Sequence, residues 1–147
     1  MEPPRDYFAP RTPQTQQQLA SHEGHHLQKG ISHLRSGKAH ELGYAKNEFG
    51  FILGYWPNHP QVLGLMADTL IRMGQPFLID EYFNRAYRLT PDVAQLHVTH
   101  GVALLRTNQL DGAIKARQLG VELDDASVNG HDNLGLALVR AKRYDEA

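Results

Sequence analysis

The sequence contains no cysteine, which removes disulfides, thiolate nucleophiles, cysteine-ligated zinc and thiol lipidation from consideration. No run of 18 apolar residues occurs, and the opening stretch MEPPRDYFAPRTPQTQQQ lacks the apolar core of a signal peptide. Membrane insertion is therefore not expected, and the chain reads as cytoplasmic. Neither sign of charge predominates: a net charge of −1 over 147 residues gives no bulk attraction to nucleic acid. A G-x-S-x-G elbow and a phosphate-cradling glycine loop are also missing. The sequence reads as no enzyme, and no cofactor is expected.

What is present is repetition. Arg72, Arg106 and Arg140 lie 34 residues apart, as do Leu70, Leu104 and Leu138, and Ala67, Gly101 and Gly135. A period in this range signals stacked supersecondary units rather than one globular core. An earlier copy is offset by three residues, since Arg35 to Arg72 spans 37. The extra residues fall between Ile52 and Pro60. Four units follow, at about 23–59, 60–93, 94–127 and 128–147, the last incomplete. They form a repeat domain over 19–147, preceded by a Pro- and Gln-rich arm over 1–18 that is expected to be disordered.

Each unit reads as two helices. Leu19, Leu27, Ile31 and Leu34 share a face up to the break at Ser36-Gly37, and Leu42, Ala45, Phe49, Ile52 and Leu53 follow at helical spacing. Asn58 is expected to cap the next helix, with Pro60 in its first turn. That helix runs from Gln61 to Met73, turns at Gly74-Gln75 and resumes from Pro76 to Leu89. The following pair covers 94–107 and 111–123. Gly30, Ala67, Gly101 and Gly135 recur where two helices must approach closely.

Segments such as HGVALLRTNQLDGAIKARQLGVELDD and NLGLALVRAKRYDEA resemble tetratricopeptide repeats. Leu134-Gly135, Leu138, Tyr144, Asp145, Glu146 and Ala147 match the family motif closely. Gly101, Leu104, Leu110, Asp111 and Ala113 match it well, and Ala67, Leu70, Ala86 and Pro91 more loosely. The resemblance implies an all-α, right-handed superhelical solenoid of antiparallel helix pairs, about three and a half units long. It also implies a concave groove lined by the first helices. Where the family wedges a large residue between helices, this chain has His26, Leu63, His97 and His131. Partly buried imidazoles there would make stability fall between roughly pH 7 and 5. A repeat array also needs a polar end cap, so a stop at Ala147 suggests a fragment of a longer array or an end that self-associates.

Two constellations could carry chemistry. His22-Glu23-Gly24-His25-His26 fits H-E-x-x-H, with His33 as a further candidate ligand. Gly24 weakens the helix that must hold such ligands, and the longer zinc pattern would need its Gly and His one residue earlier than Gly30 and His33. No metal is therefore expected. The arginines are the better evidence. Arg35, Arg72, Arg106 and Arg140 close the first helices, where they can offset the helix dipole or orient an acidic ligand by bidentate bonds.

By carry-over from the family, the groove would also present Asp68, Gln95, Val98, Val102, Asn129, Asp132 and Leu136. The set of lysines, asparagines and arginine that some family members use against a chaperone's terminal carboxylate is absent. Its places are Leu27, Ile31, Leu65, Gln95 and Thr99. The expected function is a non-catalytic scaffold holding a protein or peptide partner, acidic if the arginines touch it. The resemblance suggests bacterial secretion, pilus or envelope assembly. The alternatives are a homo-oligomer joined through the open C-terminal end, or the repeat region of a longer enzyme such as a transferase.

Overall fold

The computed structural model describes residues 3–107 and 109–123. Among these, every regular element is helical. The chain divides into two compact units, Met1–Leu89 and Thr90–Ala147.

In the first unit, α1 (Pro13–His22) begins at Thr12, whose side chain accepts a hydrogen bond from the Thr15 N–H. Proline at the first helical position costs nothing there, and glutamine is a good helix former. The Gln-rich stretch read as a disordered arm thus carries a helix, with Leu19 as its buried residue. A π-turn at Glu23–Leu27 joins it to α2 (Gln28–Ser36). Gly37, at φ +70°, ends α2 in the left-handed conformation that glycine adopts without strain. The chain then returns as α3 (Ala39–Tyr55).

The α2–α3 pairing depends on Gly30, since a Cβ there would stand 2.4 Å from the Phe49 ring. A side chain at this position would hold the two helices apart. The three extra residues go into α3, which has 17 residues where the 3-10 turn (3 residues) and second helix (11 residues) of the next pair together cover 14.

That next pair begins with α4 (Pro60–Arg72). Its cap is His59 rather than Asn58, and the His59 ring Nδ1 accepts from the Val62 N–H at 3.3 Å. Asn58 is instead taken by the N-terminal segment: its Oδ1 accepts from the Tyr7 N–H and its Nδ2 donates to Asp6, both at 2.8 Å. Gly74, at φ +73°, closes α4. Its N–H reaches the Ile71 carbonyl at 3.1 Å, while the Gln75 N–H reaches the Leu70 carbonyl at 2.8 Å. This paired closure satisfies carbonyls that a helix end leaves unpartnered. A short 3-10 turn at Pro76–Leu78 leads into α5 (Ile79–Leu89), which buries Ile79, Phe83 and Ala86 at helical spacing.

The second unit contains α6 (Ala94–Arg106) and α7 (Leu110–Leu123). The Gln109 N–H bonds to the Leu104 carbonyl at 2.9 Å, repeating the Gln75–Leu70 closure one period later. Leu104, Leu105 and Ala113 form a small core with Ile114 and Ala116. The fourth repeat, with Asn129, Asp132, Leu136 and Arg140, lies outside the described residues.

Candidate interaction face

The faces of α2, α4 and α6 carry the residues expected to meet a partner. In the first unit, Arg35 and Arg72 are exposed in the last turns of α2 and α4. Arg72 is not a free cation: its Nε lies 3.2 Å from Oδ1 of Asp68, one turn back on the same helix. Such an exposed pair contributes little to stability. It does preset the guanidinium on the helix face, and a ligand carboxylate would have to compete with or share Asp68.

In the second unit, Gln95, Val98 and Val102 fall on one side of α6. Gln95 and Val102 are exposed, and Arg106 is exposed in the last turn. Val98 packs inward, with a methyl 2.9 Å from where a Cβ on Gly120 of α7 would stand. Much of its apolar surface is therefore spent within the hairpin.

The H-E-x-x-H residues are committed to packing. The π-turn sends Glu23 onto the buried His59, with Oε2 3.0 Å from Nε2. His26 pairs through Nδ1 with Glu48 at 2.6 Å and stacks on Phe51, ring centres 3.9 Å apart. His22 accepts from the Trp56 indole N–H at 3.4 Å. Among the described residues no three ligating side chains gather into a group that could hold a metal ion. His97 fills its slot in α6 by bonding its Nε2 to the Pro91 carbonyl at 2.6 Å.

Two features escape sequence reasoning. One is the docking of the N-terminal segment on the Trp56–His59 turn, where the Arg5 N–H also reaches the Tyr55 carbonyl at 2.9 Å and Tyr7 packs on His59 at 4.4 Å. The other is Arg117, wholly buried on α7. It stands 34 residues after the buried Phe83, so the register predicts an apolar side chain there.

The sequence matches no protein-family model and no curated protein. Solved structures do match. The Sgt2 tetratricopeptide-repeat domain of Aspergillus fumigatus aligns with 97% of this chain and 88% of its own, at TM-score 0.62 and 19% identity. The first such domain of Spaghetti (RPAP3), solved with the HSP90 peptide SRMEEVD, aligns with 78% of this chain and 94% of its own, at TM-score 0.54 and 17% identity.

The fold is that of the tetratricopeptide repeats.

MamA from Desulfovibrio magneticus RS-1 is similar too, at TM-score 0.56 and 25% identity over 81% of this chain. This chain spans 66% of that MamA structure. The repeat assignment accounts for the paired helices, the recurring small residues and the matching closures of α4 and α6. Among the described residues no helix is long and apolar enough to cross a membrane.

Proposed function

We propose that this tetratricopeptide-repeat chain is a non-catalytic scaffold that holds an extended or helical segment of another protein against its first helices. The observation that carries this reading is the exposed lining of those helices. Arg35 and Arg72 in one unit, and Gln95, Val102 and Arg106 in the other, are left outside the hairpin cores. Such faces suit recognition of a peptide by alternating apolar and polar contacts. The Spaghetti domain, solved with an HSP90 peptide, is an example of the fold in that role.

The ligand would differ from one gripped by its terminal carboxylate. Leu27, Ile31, Leu65, Gln95 and Thr99 offer no cation at the places used for that purpose, and Leu27 is buried. Acidic side chains facing Arg35 and Arg72 fit better, because guanidinium binds carboxylate in bidentate fashion. A setting in bacterial secretion, pilus or envelope assembly rests on resemblance alone.

The test is a pull-down from the source cell with the wild-type chain and with Arg35→Glu/Arg72→Glu. Proteins captured by the first and lost by the second would support the reading. Identical captures by both would overturn the role of these arginines. Enzymatic turnover by the isolated chain would overturn the non-catalytic assignment.

A further inference from the structure

The first unit contains a cleft of about 390 Å³ away from the first-helix faces. Its apolar lining comes from Pro4, Leu53, Pro57 and Leu89, and its charged lining from Arg85 and Arg88. These residues belong to the second helices α3 and α5, to the turn after α3 and to the N-terminal segment. A volume of this order is typical of small-ligand sites.

The two arginines differ. Arg85 is held by Glu81 at 2.5 Å and lies over the Tyr82 ring at 5.2 Å. Arg88 is exposed in the last turn of α5 and forms no hydrogen bond or ion pair among the described residues. Among the described residues no carboxylate lines the cleft. Leu53, which lines the cleft, also lacks a helical donor for its carbonyl: four residues on, the chain has Pro57, which has no N–H. Apolar walls and an uncommitted guanidinium thus lie together.

We propose that this cleft is a second binding site, taking a partner's peptide segment in which an aliphatic side chain neighbours an aspartate or glutamate. The aliphatic group would enter among Leu53, Pro57 and Leu89. The carboxylate would pair with Arg88, whose five N–H donors can serve it while still facing the α5 carbonyls. A peptide N–H could use the Leu53 carbonyl, which a fatty acid cannot do. The site does not rest on the proposed use of the first-helix faces.

The test uses chain labelled with ¹³C at leucine methyls, titrated with acetyl-Ala-Leu-Asp-Leu-Ala-amide. Saturable shifts are expected at Leu53 and Leu89. Replacing the peptide's aspartate by asparagine should weaken binding about tenfold, the order expected for loss of one charge-assisted contact. Arg88→Ala should do the same. Gly54 also lines the cleft, and a Cβ there meets nothing within 4 Å. Gly54→Leu should therefore keep the fold, fill the open space and abolish the shifts.

Arg72→Glu should bind as wild type, which separates this site from the first-helix faces. The proposal is overturned if Leu53 and Leu89 do not respond in the wild type, or if Arg88→Ala and Gly54→Leu bind unchanged. It is also overturned if decanoate saturates the same methyls while the peptide does not, since that would make the cleft a lipid site.

Discussion

The Nε of Arg117 lies 2.7 Å from where a Cβ on Gly101 would stand, and its Cδ lies 2.9 Å away. Glycine on α6 therefore provides the room in which an arginine on α7 is buried. Among the described residues, Nε and both terminal nitrogens of that guanidinium have no hydrogen-bond partner. Burial pushes its pKa down to about 10, still far above neutrality, so the group stays charged. One period earlier, in the first unit, the corresponding residue is the buried Phe83.

A charge buried without a partner is costly, whereas an apolar chain of similar length is not. Arg117→Met should therefore raise stability, by about 1–4 kcal/mol on the scale found when buried charges are replaced by well-packed apolar residues. The midpoint of urea unfolding checks this. A lower midpoint would show that the guanidinium is stabilised by something its surroundings do not reveal.

The same geometry predicts coupling between the two positions. Gly101→Ala alone should cost about 1–3 kcal/mol, because the new methyl must displace the Arg117 stem. With Arg117→Ala already in place that space is empty, and the better helix propensity of alanine should turn the effect into a gain of up to about 1 kcal/mol. A double-mutant cycle in urea measures the difference. Additive effects would mean that the contact carries no strain.

The sequence makes legible whatever recurs, and loses what occurs once. Leu70 and Leu104 declare the helix closures, and Gly30, Ala67 and Gly101 declare the helix crossings, because every copy must solve the same packing problem. The helix limits at Pro60, Leu89, Ala94 and Leu123 follow from those positions and from flanking Pro and Gly. The docking of Asp6 and Tyr7 on Asn58 has no counterpart in other copies, and it joins residues more than 50 apart, so no periodicity exposes it. Sequence preference points to Asn58 rather than His59 as the cap, because asparagine is the commoner choice. Phe83 and Arg117 share a register, and only coordinates reveal that the arginine is buried as deeply as the ring.

The N-terminal contact can be tested directly. Asp6 Oδ1 accepts from the Asn58 side-chain amide at 2.8 Å and from the Phe8 N–H at 2.9 Å. Asp6→Ala removes a charged acceptor beside a fully buried amide and should cost about 1–3 kcal/mol. Asp6→Asn, which can keep one oxygen in place, should cost less. Thermal unfolding ranks the three proteins, and trypsin should cut after Arg5 and Arg11 faster in the alanine variant. Equal melting and equal cleavage would mean that the segment is not held in solution.

Acid should weaken the first unit through His59. Its pKa is lowered from 6.5, chiefly by burial, with Glu23 opposing the shift and Arg11 adding to it. Tyr7 covers the ring at 4.4 Å, and the Nδ1 that caps α4 must be unprotonated to accept the Val62 N–H. In the unfolded chain this histidine takes up a proton near pH 6.5, whereas the folded chain resists it to lower pH. The unfolded state thus binds more protons below that point. The stability present above pH 6.5 should fall with acid by up to about 1.4 kcal/mol per pH unit, until the folded-state pKa is passed. Asparagine can supply the cap without titrating, so His59→Asn should flatten the slope of unfolding free energy between pH 7 and 5. An unchanged slope in that variant would move the acid sensitivity to other groups.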